Sequence, residues 1–175
     1  TPETKAILAV HYGGQSCDMA RLKELSDRHG LFLIEDVAQA CGGEYRGQKL
    51  GTFGDIGTYS FFPGKNLGGF GDGGAIVTNS SQIYKYALRA RNHGAINKYD
   101  HKFSGRNSRL DTIQAAILLE KFAIFPDEVE RRQKVAAWYD ALLKDAVITP
   151  FISPGNTSVS SPSRVTPRRA GVRLP

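Results

Sequence analysis

The sequence predicts an α/β fold: a mostly parallel sheet with flanking helices. Three observations predict it. Leu31-Phe32-Leu33-Ile34 is an unbroken apolar run that ends in the carboxylates Glu35 and Asp36, the pattern of a strand buried in a parallel sheet. A second short apolar strand, Ala6 to Val10, lies one helix upstream, so the two form a βαβ unit with parallel strands and a right-handed crossover. A third β-type run, Ile56 to Phe62, stops at Pro63. The 175 residues are enough for one domain with a real core.

In chain order, Ala6–Val10 is the first strand, and His11-Tyr12-Gly13-Gly14 turns it. Asp18 is placed to N-cap a helix over Met19–His29, with Leu22 and Leu25 on its inner face and Gly30 as its stop. The strand over 31–37 follows. Residues 42–55, with a Tyr45-Arg46-Gly47 turn, read as a small hairpin or loop. Strand 56–62 comes next, then a strand over Gly74–Thr78 and a helix from about Ser81 to Arg91. Gly94 to Gly105 is polar and reads as a mobile loop. A helical pattern starts at Leu110-Asp111-Thr112, and Pro126 is expected to break or kink it. A second helix over Asp127–Leu143 carries Val129, Val135, Ala136, Tyr139 and Leu142 on one side. After Val159 the composition turns to Ser, Pro, Thr and Arg with no period, which does not support a packed segment.

Charge and cysteines narrow the function classes. The net charge is +6, but four of those charges are Arg164, Arg168, Arg169 and Arg173 in an acid-free end. The body has no basic stripe interleaved with aromatics, which argues against a nucleic-acid partner. No apolar run approaches the ~20 residues a membrane span needs, and the start, Thr-Pro-Glu-Thr-Lys, is no signal peptide. Cys17 and Cys41 have no metal-type spacing and read as reduced thiols, so a cytoplasmic location is expected. His11, His29, His93 and His101 show no ligand spacing and read as core or loop histidines.

The chemistry-bearing positions are Asp36 and Lys65. Ligands of open α/β sheets collect beyond the carboxyl ends of the strands. Asp36 closes one buried strand, and Lys65 follows another within Pro63-Gly64-Lys65-Asn66-Leu67-Gly68-Gly69. A lysine delivered there can have its amine pKa lowered and can form a Schiff base with a carbonyl. An acid to pair with a pyridinium nitrogen and an amine to hold an aldehyde are the minimal equipment for pyridoxal phosphate (PLP). Asp72-Gly73-Gly74 fits neither the P-loop nor the dinucleotide fingerprint and reads as a tight turn.

Four stretches carry a family resemblance. Glu35-Asp36-Val37-Ala38-Gln39-Ala40, Gly51-Thr52-Phe53-Gly54-Asp55-Ile56-Gly57, Ser60-Phe61-Phe62-Pro63-Gly64-Lys65 and Gly71-Asp72-Gly73-Gly74 resemble the DegT/DnrJ/EryC1/StrS group of PLP-dependent nucleotide-sugar aminotransferases. Asn107-Ser108-Arg109-Leu110-Asp111-Thr112-Ile113-Gln114 continues the match, which runs to about Val159. The stretch from Asn107 to Phe151 is especially similar to members acting on a UDP-linked 3-oxo-glucuronate sugar in bacterial surface-polysaccharide synthesis.

The resemblance implies part of the large PLP-binding domain of a fold-type-I enzyme over residues 1–125. A connecting helix and the start of a small domain follow over 126–159, and an aberrant or disordered basic tail over 160–175. It implies that Lys65 binds the cofactor aldehyde and then moves the proton, and that Asp36 pairs with the ring nitrogen. Gln39 would lie near the ring face or its phenolic oxygen, and Ser60 would bind the phosphate. Asn107 would reach the phosphate of the neighbouring subunit in a homodimer. Some relatives with histidine at the lysine position are dehydratases; Lys65 favours transamination, from a donor such as glutamate to a nucleotide-linked keto sugar.

The chain begins at Thr1, so it is expected to be a piece of a longer one, without the phosphate cradle and stacking aromatic of the family's N-terminal segment. Weak or no PLP binding, an inactive fragment and a tendency to associate are the corresponding expectations. A frameshift after about Val159 is the expectation for the tail. A non-catalytic remnant or a regulatory or binding protein on the same fold is the competing reading.

Overall fold

The computed structural model describes residues 1–159 and the backbone of the pair 166–167. Four strands form the main sheet: β1 (Ala6–Val10), β2 (Phe32–Asp36), β5 (Ile56–Ser60) and β6 (Gly74–Val77), in the order β1-β2-β5-β6. The first three are parallel and β6 returns antiparallel to β5. The βαβ reading is borne out: helix α1 (Met19–His29) joins β1 to β2, Asp18 Oδ1 accepts the Arg21 N–H at 3.2 Å, and Gly30 closes the helix in the left-handed region at φ 60°.

Successive strand residues face opposite sides. Ile7, Ala9, Leu33 and Tyr59 point to the side covered by α1, where Met19, Val37, Ala40, Tyr45 and Leu50 complete the core. The other side carries Leu8, Val10, Phe32 and Ile76, and these stay exposed; Leu8 and Phe32 retain 61% and 57% of their accessible surface. A strand buried on both faces is therefore not what the described residues provide. Phe62 is likewise exposed, and so is Leu25, expected on the inner face of α1, where Met19 and Ser26 are buried and Leu22 packs against the core instead.

Residues 42–55 form a true hairpin of β3 (Glu44–Tyr45) and β4 (Gln48–Lys49), turned by Arg46 and Gly47 at φ 51° and 79°. Helix α2 (Ser81–Ala90) starts where Ser80 Oγ accepts the Ile83 N–H. The expected mobile loop over 94–105 instead holds a second small hairpin, β7 (Ala95–Asn97) with β8 (Asp100–His101). The Asn97 side chain accepts the Tyr99 and Asp100 N–H groups there and supplies the turn that composition concealed.

Helix α3 runs from Thr112 to Leu143 as one element of 32 residues with Pro126 inside it. The expected break at Pro126 does not occur. Leu118 and Phe125 are both buried against Cys41 and Leu67, with Val129 packed beside them, so tertiary contacts on both sides of the proline hold the helix through it. Beyond Val135 and Ala136 the expected apolar side is largely exposed, Leu142 and Tyr139 included. Three short strands finish the description: β9 (Val147–Ile148), β10 (Asn156–Thr157), which joins β3 across 110 residues of sequence, and β11 (Thr166–Pro167), which pairs with β9. The rest of 160–175, and with it the expectation of an aberrant tail, lies outside the described residues.

Candidate active site

The register of the sheet gathers three of the expected groups at one end. Asp36 is the last residue of β2 and pairs with Thr58 of β5; Ser60 is the last residue of β5. By alternation Asp36, Thr58 and Ser60 share the open side, opposite Glu35 and Tyr59. Asp36 Oδ1 accepts the Ala38 N–H at 2.9 Å, an Asx turn that fixes the carboxylate at the strand end. Ser60 Oγ accepts the Phe62 N–H at 3.4 Å.

Lys65 lies five residues past the end of β5 and is half-buried. Its loop is held from several directions. The Lys65 and Gly69 N–H groups donate to the Phe62 and Phe61 carbonyls at 2.9 and 2.8 Å, and Phe61 N–H donates to Gly73 at 2.8 Å. Asn66 Nδ2 donates to the carbonyls of Cys41 and Val159. From α3, Gln114 Oε1 accepts the Phe70 N–H at 2.7 Å and Lys121 Nζ donates to the Gly68 carbonyl. Gly68 is required: a Cβ there would lie 2.4 Å from the Pro63 carbonyl oxygen. Gln114 and Lys121 were not legible as site supports. Gln114 stood in a quoted motif, but Lys121 looks like any lysine on a helix.

A buried pair that sequence reasoning passed over lies beneath this end of the sheet. His11 and Glu35 have no exposed surface. Glu35 Oε1 accepts the N–H groups of Phe53 and Gly54 at 2.7 and 2.8 Å. Its Oε2 accepts from Gly51 at 2.7 Å and from His11 Nε2 at 3.1 Å. Burial pushes this carboxyl up, but the His11 bond and the Gly51, Gly54 and Phe53 amides outweigh it and hold Glu35 below the usual carboxylate range.

For His11, burial opposes a charged ring, while the Cys17 and Glu35 side chains favour one and would carry it up to about 9. The Cys17 backbone N–H decides between them. It points at Nδ1 at 3.2 Å, and a proton on Nδ1 would meet it head-on. The ring is held with its proton on Nε2, donated to Glu35.

Gln39 sits in the turn after β2 and is exposed; its Oε1 accepts the Gly13 N–H at 2.8 Å. That bond fixes the amide so that its NH2 is the end presented to a ligand. Gly13 makes it from a turn that needs φ 66°. Asn107 is placed elsewhere, in the chain after β8, where it bridges Asn92; it is exposed. The structure thus brings Asp36, Ser60 and Gln39 to one end of the sheet, with the Lys65 loop following the end of β5.

An apolar cleft of about 750 Å³ lies between β5–β6 and α3, lined by Tyr59, Phe61, Leu67, Leu118 and Phe122 among others. It contains none of the five expected site residues and lies on the opposite side of β5 from Ser60, apart from the candidate site. Among the described residues no group of three or more His, Cys, Asp or Glu could hold a metal ion. No described helix is long and apolar enough to cross a membrane.

Comparison with known proteins matches residues 1–166 to the model of the DegT/DnrJ/EryC1/StrS aminotransferase family. The "Pleiotropic regulatory protein" of Geobacillus stearothermophilus is 47% identical over 154 residues, 88% of this chain and 41% of that protein. The UDP-2-acetamido-2-deoxy-3-oxo-D-glucuronate aminotransferase of Pseudomonas aeruginosa is 46% identical over 160 residues, 91% of this chain and 45% of that protein. The crystal structure of Streptomyces venezuelae DesV in complex with a ketimine intermediate superposes with a TM-score of 0.87 at 44% identity, covering 91% of this chain and 44% of that one. The chain spans under half the length of these relatives.

Proposed function

The chain belongs to the DegT/DnrJ/EryC1/StrS aminotransferase family, and from that premise we propose that it supplies the cofactor-anchoring part of a PLP-dependent aminotransferase. Its acceptor is a nucleotide-linked keto sugar on the way to a bacterial surface polysaccharide, and its amino donor is glutamate. The active unit is a homodimer in the cytoplasm, with Asn107 reaching the partner's site. Residues 1–125 form the cofactor half and 126–159 the link to a second domain.

The observation that carries this reading is the convergence of Asp36, Ser60 and Gln39 with the tethered Lys65 loop. A carboxylate, an amine, a hydroxyl and an amide NH2 are the donor set that PLP takes. Bound PLP supplies an electron-poor ring that accepts the electron pair of the substrate's C–H bond. Asp36 holds a proton on the ring nitrogen by its negative charge. Gln39 offers an N–H to the phenolic oxygen, and Ser60 donates to the phosphate. Lys65 Nζ would hold the aldehyde end of the cofactor, and its amine would take the proton from the substrate carbon as base and return it as acid.

The test is direct. Adding PLP to the whole protein that contains these residues should produce a visible-edge absorbance band that Lys65→Ala abolishes. A band that persists in Lys65→Ala, or none at saturating PLP, counts against the reading. A regulatory or binding role is the second reading, favoured by the name of the Geobacillus relative. It predicts PLP capture with no amino transfer to keto-sugar nucleotides when the whole protein is assayed.

A further inference from the structure

We infer that His11 is a positioning residue: through Glu35 and the turn Tyr12–Gly14 it sets the orientation of the Gln39 amide and the height of Asp36 at the cofactor end of the sheet. The inference rests on the reading of Gln39 and Asp36 as cofactor-facing groups.

His11 is the first residue past β1, and its own N–H donates to the Asp36 carbonyl at 3.1 Å. That bond ties the ends of β1 and β2 together at the residue whose side chain is the candidate ring partner. The His11 ring then goes down into the core, where Nε2 bonds the Glu35 carboxylate and Nδ1 accepts the Cys17 N–H. Glu35 is clamped in turn by three N–H groups of 51–54, the segment leading into β5. The ring therefore fixes where the backbone leaves β1.

Two residues later Gly13, at φ 66°, aims its N–H at Gln39 Oε1. Remove the ring, and neither the start of the turn nor the direction of that N–H is set. A solvated surface turn would leave the Gln39 amide free to flip and present oxygen instead of NH2. A buried polar hub with every partner satisfied is costly to form and rigid once formed, which suits an element that must hold two cofactor contacts at fixed separation.

The two ring nitrogens have different partners, so conservative variants separate them. In His11→Gln the side-chain amide reaches the Nε2 position and can still donate to Glu35; His11→Leu fills the volume with no polar group. The measurements are amide exchange at Gly13, referenced to the Val37 N–H that bonds Thr58 within the sheet, and PLP affinity from the Lys65-dependent band. His11→Leu is expected to speed Gly13 exchange relative to Val37 by tenfold or more and to weaken PLP binding on the order of tenfold to a hundredfold. His11→Gln should restore most of both.

A folded His11→Leu with unchanged Gly13 exchange and PLP affinity would overturn the inference. So would His11→Gln behaving no better than His11→Leu, which is the pattern of a merely structural residue. If His11→Leu does not fold, Glu35→Gln takes its place, turning one acceptor oxygen into an NH2. Faster Gly13 exchange supports the inference, and unchanged exchange overturns it. If the whole protein shows no Lys65-dependent band, the cofactor reading fails while the Gly13 exchange still decides the role of His11.

Discussion

Glu35 shows how much a single side chain can hold. With its carboxyl below the usual range in the folded chain, it is ionised where an unfolded Glu, near pH 4.3, is half protonated. The sign follows by linkage: its stabilisation is complete above the unfolded value and is lost as pH falls through the lower folded one. Glu35→Gln should cost about 2–4 kcal/mol at neutral pH and flatten the acid limb of the stability curve, as read by urea unfolding between pH 3 and 7. An unchanged acid limb would contradict the assignment.

Cys41 offers a second test at this scale. Burial pushes its thiol up to about 11, so iodoacetamide at pH 8 should label Cys17 well before Cys41 in the native chain; equal rates would refute it. Asp36 and Lys65 could be proposed from sequence because strand ends and punctuating glycines announce them, while Gln39 and Ser60 come from the family resemblance. His11 could not. A lone histidine after a strand has no spacing signal, and only its distance to Glu35, 24 residues on, shows what it does.

At the level of elements, local chemistry was legible and long-range rescue was not. Asp18 and Gly30 bracket α1 in sequence as they do in the structure, and Arg46-Gly47 announces the β3–β4 turn. Pro126 misleads because the contacts that hold α3 together come from residues 41–67. The proline still withholds one N–H from the helix ladder, so Pro126→Ala should stabilise the chain by about 1–3 kcal/mol in thermal unfolding. A loss of stability would show that the ring's packing matters more.

The same contact surface makes Gly42 intolerant. At φ 88°, with an added Cβ 2.9 Å from the Phe125 ring, Gly42→Ala should destabilise by about 1–3 kcal/mol. The β10–β3 pairing, with its large sequence separation, carries no signal that short-range patterns could expose.

For the whole molecule, the fold class was legible from three strands and one crossover, because parallel pairing of apolar runs leaves few topologies. The state of the sheet's second side was not, since apolar strand residues look the same whether or not something covers them. Here Leu8, Val10, Phe32 and Ile76 form an exposed apolar side above which Asp36 and Ser60 sit. The isolated chain should therefore self-associate with rising concentration, and Leu8→Lys with Phe32→Lys should reduce the association in sedimentation velocity. Monodisperse parent chain at high concentration would refute this.

The tethers from α3 to the lysine loop set an order of events in biosynthesis. While the ribosome has released Lys65 but not yet Gln114 and Lys121, the loop has its own turn bonds and the Asn66–Cys41 tether but not the two fastenings from the helix. The loop gains these two only after the helix has emerged some fifty residues later.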